Sequence, residues 1–261
     1  MPLSRHLADT AASQHGISSS HIVSTMASRQ NWFWPKIDKP GSTTRLPRGE
    51  SLHRLQGLAK ALYLLLGASI LVSLLSAFAH HRRAGLITSE IRNPWSVSQA
   101  KVEKADSAVQ YSSLAVSVLG LAILAVFIVW AWRATKNLES WGAPLQRGPG
   151  WAVGGWFVPF ANVFIGYQVV RDAWRLVPMS EETYPKPNKP WLFAWVTYVI
   201  SQALTLFGLR LSGLELSLSD IRVVDRILET GDFIRIVAGI ALIISVRQIS
   251  ARQDECATAA R

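Results

Sequence analysis

Basic residues that repeat at helical spacing carry the clearest chemistry in this sequence. Arg133 and Asn137 are four residues apart, and Arg171 and Arg175 repeat that interval. Residues at positions i and i+4 share one face of a helix, so each pair would present its polar groups together. Basic residues beside a membrane gain about 1 kcal/mol each from anionic lipid. Ordinary basic residues at the ends of membrane spans are the alternative interpretation. The predicted set for binding a lipid headgroup or a partner protein is Arg133, Lys136, Asn137, Arg147, Arg171 and Arg175.

A polar stripe runs along residues 191–209, which are otherwise apolar. Thr197, Ser201 and Thr205 follow at intervals of four, and Gln202 lies beside them. In membrane helices such residues form hydrogen bonds to neighbouring helices. The second interpretation is a pathway for a small solute. Packing is favoured, because the membrane spans have no carboxylate at mid-depth, which coupled carriers usually need.

Enzymatic or metal chemistry has little support in the sequence. His80 and His81 are adjacent, so on a helix their side chains point about 100° apart and cannot easily hold one ion. Cys256 has no histidine near it in sequence. Neither a glycine-rich phosphate loop followed by Lys and Ser or Thr, nor a His-Glu-x-x-His motif, occurs. We therefore predict no enzyme activity, no cofactor and no metal site.

The elements that must position these residues are long apolar helices. Hydrophobic residues make up 49% of the 261 residues and charged residues only 17%, and residues 61–79 and 107–132 carry no charge at all. About 20 apolar residues are needed to cross a hydrocarbon core roughly 30 Å thick. The prediction is an all-α, polytopic transmembrane helix bundle. Its four spans are residues 58–79, 109–132, 191–209 and 233–249.

The stretch 151–171 is ambiguous between the second and third spans. Residues 151–163 are uncharged, but a Gly-Gly pair, Pro159 and Asn162 interrupt the apolar run. Lys and Arg favour the cytoplasmic side of a membrane. If the stretch does not cross, the cytoplasmic segments hold 14 of them and the outer loops hold 9; if it crosses, the split is 11 to 12. We predict an interfacial or re-entrant helix, with a fifth crossing as the alternative.

The remaining segments complete the predicted organisation. Residues 1–50 are rich in Ser, His and Arg without hydrophobic period, which predicts a disordered basic tail before a membrane domain at 51–250. Translation from Met1 or from Met26 remains open. For residues 214–230 we predict an amphipathic helix on the outer interface or a cap over the bundle. For residues 251–261 we predict a C-terminal tail. The formal charge of +10 is attributed to basic residues beside spans, not to nucleic-acid binding. The predicted location is the plasma membrane, with a cytoplasmic N-terminus.

The central run 130–175 resembles bacterial, mostly actinobacterial, membrane proteins of the family called domain of unknown function 4328. The resemblance rests on W-x-x-R-x-x-x-N-L from Trp130, P-G-W-A at 149–152, W-F-V-P-x-x-N from Trp156, and Y-Q-V-V-R-D-x-W from Tyr167. It implies an integral membrane protein and carries no established activity. The motif residues to which we assign a structural role are Trp151, Trp156, Pro159, Asn162 and Tyr167.

Two classes of function follow from the sequence. The first is a non-enzymatic cell-envelope component whose partners are the lipid bilayer, including anionic headgroups, or other membrane proteins, including further copies of this chain. The alternative is a small-solute transporter or channel that uses the polar face of residues 191–209.

Overall fold

Helices form the regular structure of the chain. The computed structural model describes residues 52–158, 161–177, 188–214 and 216–259, and 85% of these residues are helical, with no strand among them. The predicted all-α class is therefore confirmed. The helices in this part of the chain are α1 (Gln56–Arg92), α2 (Gln99–Ser140), α3 (Pro149–Gly154), α4 (Ala161–Arg175), α5 (Lys189–Ser212) and α6 (Leu218–Ala259).

Local sequence explains where several helices begin and end. The Asn188 side chain accepts a hydrogen bond from the backbone N–H of Trp191 at 2.9 Å, which caps the start of α5. Gly142 follows the end of α2 with φ of 71°, a left-handed conformation that glycine adopts at little cost. With 37 and 42 residues, α1 and α2 measure roughly 55 and 63 Å at 1.5 Å per residue. Both exceed a hydrocarbon core of about 30 Å, so their ends must extend beyond it.

Three helices in the described part of the chain are long and apolar enough to cross a membrane: α1, α2 and α5. Their outward faces carry large apolar side chains, such as Leu64 at 77% exposure and Leu121 at 70%. In water such faces would be costly, whereas lipid accommodates them. The prediction of four spans plus one helix is corrected to three such helices. The predicted fourth span, 233–249, lies within α6, where charged residues flank the apolar stretch on both sides.

The ambiguous stretch 151–171 does not form one helix. It divides between α3 and α4, which have 6 and 15 residues, each shorter than a membrane crossing needs. A Cβ atom on Gly155 would overlap the Ile165 side chain of α4, and one on Gly166 would lie 2.7 Å from the Trp156 ring. The two glycines thus allow the chain to fold back on itself. Pro159, which interrupts the apolar run in the sequence, lies outside the described residues.

The long helices pack side by side in the order α5, α6, α1, α2. Hydrogen bonds between the start of α1 and the ends of α2 and α6 show that α1 runs antiparallel to both. We call this the basal end of the bundle, and the opposite end the apical end. Gly208 lies against Leu228 and Leu204 lies against Gly231, so α5 runs antiparallel to α6 and also begins at the basal end. There α4 contacts both α2 and α5, and α3 lies against α2.

Helix α6 differs from the prediction at both ends. Residues 218–232 belong to the same continuous helix as the apolar stretch that follows, so they are not a separate amphipathic helix on the interface. The reason is that Asp225 of this segment pairs with α1, as described below. The predicted C-terminal tail 251–261 is helical as far as Ala259. The predicted tail 1–50 lies outside the described residues.

Candidate functional site

Asn137 joins three parts of the chain at the basal end. Its side-chain oxygen accepts a hydrogen bond from the backbone N–H of His53 at 2.8 Å, and its amide donates to the His53 carbonyl at 2.8 Å. The same amide donates to Gln253 Oε1 at 3.2 Å, and Gln253 in turn donates to the Ala173 carbonyl in α4. Asn137 is 1% exposed. Its polar atoms therefore hold the start of α1 and the end of α6 against α2.

The remaining basic candidates divide into two groups. Arg171 donates two hydrogen bonds to Asp172, at 2.8 and 3.0 Å, and the charges of Arg147 and Arg175 also act on this carboxylate. Burial raises the pKa of Asp172 above its ordinary value, although the three arginine charges oppose the shift. We call Arg147, Arg171 and Arg175 the basal arginine cluster. It holds three cations around one carboxylate.

The second basic group lies on α2. Lys136 pairs with Glu139 at 2.6 Å across one turn of the helix. Arg133 is half-buried on the same helix. Of the predicted basic set, the structure brings the charges of Arg147, Arg171 and Arg175 to act on Asp172, and a shared site that includes Arg133 and Lys136 stays a prediction.

Aromatic residues fill the space between α2 and α5 at the basal end. The Trp156 and Phe127 rings meet edge to face at 5.4 Å between centroids, and Trp195 lies 5.9 Å from Trp156. Tyr167 stacks on Trp191 at 6.3 Å. Aromatic pairs in such arrangements contribute about 0.5–1.5 kcal/mol beyond the burial of their area. Of the other predicted motif residues, Trp151 is exposed and Asn162 is half-exposed.

A cavity of about 350 Å³ continues from this aromatic cluster towards the apical end. Helices α2 and α5 form its sides, and α1 and α6 form its floor. We call it the α2–α5 groove. Its lining is mostly apolar and includes Leu66, Ile70, Leu124, Phe127, Trp191, Trp195 and Leu242. Leu121 lines the groove and is also strongly exposed, so the groove opens sideways between the two helices.

The polar stripe of α5 is divided between packing and this groove. The Ser201 hydroxyl is fully buried and donates to the Gly231 carbonyl at 3.0 Å, so it connects α5 to α6. Thr197 donates to backbone carbonyls of its own helix. Gln202 and Thr205, in contrast, line the groove. The stripe thus contributes both a helix contact and a polar lining.

Arg235 is the charged residue of the groove. Among the lining residues that the structure describes, it alone carries a charge. One Nη atom donates to Asp232, and the other donates to Thr205 Oγ1 at 2.8 Å. Asp232 does not line the groove. The guanidinium is therefore held in a fixed position at the apical part of an apolar cavity.

A buried ion cluster at the apical end was missed by sequence reasoning. Asp225 is fully buried and accepts a hydrogen bond from His80 Nδ1 at 2.8 Å, together with two from Arg83 at 2.6 and 2.9 Å. Arg83 also reaches Asp106 of α2 at 3.2 Å. Burial acts to raise the pKa of Asp225, but the bonds from His80 and Arg83 outweigh it, and the pKa lies below the ordinary value of 3.8. This cluster joins α1, α2 and α6.

A sequence signal for this cluster does exist. Ser73, Ser76 and His80 follow at intervals of three and four, which places them on one face of α1, and all three are buried. Asp225 and Asp232 are seven residues apart on α6, also on one face. Polar residues at helical spacing inside an apolar helix usually face the bundle. The polar faces of α1 and α6 together therefore indicate that the two helices pack against each other through these residues.

The described residues contain no group of three or more His, Cys, Asp or Glu side chains close enough to hold a metal ion. The thiol of Cys256 is half-buried. Burial raises its pKa above the ordinary 9.0, although the Arg252 charge opposes the shift. At neutral pH this keeps the sulfur largely protonated and weakly nucleophilic.

These features define an all-helical protein with three helices long and apolar enough to cross a membrane and with a groove that opens between two of them. The chain belongs to the family described as domain of unknown function (DUF4328), whose model matches residues 93–251. The match includes all four motif pieces of the central run, whereas α1 lies before it. No curated protein and no solved structure matches the chain.

Proposed function

We propose that the protein is a non-enzymatic integral membrane protein of the cell envelope that binds anionic lipid at its basal end. The observation that carries the proposal is the basal arginine cluster, in which the charges of three arginines act on the carboxylate of Asp172. A basic cluster beside apolar helices attracts anionic headgroups, and each charge contributes about 1 kcal/mol.

The proposal includes four crossings, with α6 as the fourth. Helix α6 packs between α1 and α5, which both qualify as spans. Its Arg235 and Arg247 are 12 residues apart, about 18 Å at 1.5 Å per residue. Helix α2 ends and α5 begins at the basal end, and this supports an α3–α4 segment that dips into the basal interface without crossing. We place the basal end in the cytoplasm of a plasma-membrane protein, on the basis of the distribution of Lys and Arg.

The lipid proposal is tested by native mass spectrometry of the detergent-purified chain. The experiment compares retention of phosphatidylglycerol and phosphatidylcholine of equal chain length. Replacing Arg147 and Arg175 with Gln removes two cations, which corresponds to a loss of about 2 kcal/mol of binding free energy. We therefore expect phosphatidylglycerol retention to weaken about tenfold to thirtyfold. Arg210→Gln, which removes an exposed cation at the end of α5, is the matched control. Equal loss in the double variant and in the control would refute the proposal.

A second candidate function is passage of a small solute along α5. It is favoured by Gln202 and Thr205, which line the groove. It is opposed by Ser201, whose hydroxyl is used in a buried contact with α6. Cysteine substitution at Ser201 and Thr205 separates the two functions. Reaction of both sites with a water-soluble thiol reagent favours passage, whereas protection of Ser201 favours packing.

A further inference from the structure

The α2–α5 groove has a polar end and an apolar end. Arg235, Gln202 and Thr205 lie at its apical end, and Trp156 and Trp191 at its basal end. Trp191 and Thr205 are 14 residues apart on α5, which corresponds to about 21 Å at 1.5 Å per residue. One leaflet contributes roughly 15 Å, half of a hydrocarbon core of about 30 Å. A hydrocarbon chain that starts near Arg235 can therefore extend fully along the groove.

The volume of the groove limits its occupant. About 350 Å³ lies at the small end of the range of roughly 300–1,000 Å³ that ligand pockets have. This space suits one hydrocarbon chain rather than a whole lipid with two chains. Because α2 and α5 do not pack closely along their described lengths, a second chain can remain in the bilayer outside.

The guanidinium of Arg235 selects the headgroup. Asp232 and Thr205 hold it in place, and these bonds use two of its five N–H groups. An occupant of the groove meets this cation and the neutral side chains of Gln202 and Thr205, since Asp232 is not part of the lining. Arginine binds phosphate oxygens through paired, charge-assisted hydrogen bonds. The complementary headgroup is therefore a phosphate without a compensating positive charge.

We propose that the α2–α5 groove is a binding site for one anionic phospholipid, whose phosphate pairs with Arg235 and one of whose acyl chains lies along the groove towards Trp156 and Trp191. The site uses different residues from the basal arginine cluster. The two sites can therefore be tested, and can fail, independently.

The test is native mass spectrometry of the full chain after partial delipidation, with phosphatidylglycerol and phosphatidylcholine as probes. Gly120 lines the groove, and a Cβ atom built on it has no atom within 4 Å, so Gly120→Leu fills the groove without a clash at the backbone. Gly67 has the same free space but does not line the groove, so Gly67→Leu is the matched control. We expect Gly120→Leu to lower phosphatidylglycerol affinity at least about tenfold, because the new side chain occupies space that the acyl chain needs. We expect Gly67→Leu to leave the affinity unchanged.

Two further measurements test which headgroup binds and whether a phosphate without an acyl chain can bind in its place. Arg235→Gln should lower the preference for phosphatidylglycerol over phosphatidylcholine about tenfold, since a charge-assisted bond is lost. Excess glycerol phosphate, which has no acyl chain, should not displace the lipid. The proposal is overturned if Gly120→Leu retains phosphatidylglycerol as well as Gly67→Leu does, if the intact chain retains both lipids equally, or if glycerol phosphate competes.

Discussion

Removing the Asn137 side chain should destabilise the bundle strongly. In Asn137→Ala, the backbone N–H and C=O of His53 and the side-chain oxygen of Gln253 lose their partners. Each hydrogen bond contributes about 0.5–1.5 kcal/mol net, and a buried group left unpaired costs about 1–3 kcal/mol. Because the His53 groups are only partly buried, water can replace some of these bonds. We therefore expect a loss of roughly 2–4 kcal/mol in the free energy of unfolding.

The assay is thermal unfolding of the detergent-purified chain, followed by tryptophan fluorescence. For a chain of this size, 1 kcal/mol corresponds to about 2–4 °C in Tm, so Asn137→Ala should lower Tm by roughly 4–16 °C. Asn137→Asp should be at least as destabilising, because a carboxylate oxygen would then face two oxygen acceptors. Asn93→Ala, at an exposed position after α1, is the control and should change stability by less than about 0.5 kcal/mol. If Asn137→Ala shifts Tm no more than Asn93→Ala, the assignment of Asn137 as the tie between α1, α2 and α6 is refuted.

Further predictions concern packing and charge. The folded-state pKa of Asp225 lies below its ordinary value of 3.8, so this carboxylate stabilises the fold above that pH, and its contribution is lost as the pH falls through the folded-state pKa. We therefore expect Tm of Asp225→Asn to depend less on pH below about pH 4 than Tm of the parent chain does. Equal pH dependence of the two Tm values would contradict the pairing. Gly155→Ala should lower the free energy of unfolding by about 1–3 kcal/mol through overpacking, since the new Cβ would lie 2.7 Å from the Trp151 carbonyl oxygen. Gly67→Ala places its Cβ in open space and should not lower Tm. Trp130→Phe removes a 3.0 Å hydrogen bond to a serine hydroxyl of α6 and should lower the free energy of unfolding by about 1 kcal/mol, measured by denaturant titration. An unchanged free energy of unfolding would mean that this bond does not contribute to stability.

The apolar helices could be predicted because composition alone determines them. Residues 61–79 and 107–132 are long and uncharged, and they lie within α1 and α2. The interruption of 151–171 was also visible, because glycine and proline break an apolar run. The way in which the chain folds back was not visible. A continuous helix would separate Trp156 and Gly166 by ten residues, about 15 Å along its axis, but in the structure the two pack together.

Contacts between distant charges could not be predicted from local spacing. His80 and Asp225 are 145 residues apart, and their pairing depends on the register between α1 and α6. Considered by itself, His80 raised only the question of a metal site. The groove likewise depends on α2 and α5 standing apart, which no single segment encodes. Arg235 lies near the start of the predicted span 233–249, but its position in the groove depends on the packed bundle.

We infer that α1, α2 and α5 lie in a bilayer with their exposed apolar faces against lipid. Spin labels at Leu71, Val118 and Ile200, one on each helix, test it after Cys256 has been replaced with Ser. All three positions are exposed, as is Asn93 between α1 and α2, which serves as the aqueous reference. In reconstituted vesicles we expect collisions with dissolved oxygen at the three helix sites, and collisions with a water-soluble nickel complex only at Asn93. Nickel collisions at Leu71, Val118 and Ile200 as frequent as at Asn93 would contradict the placement of the three helices in the bilayer.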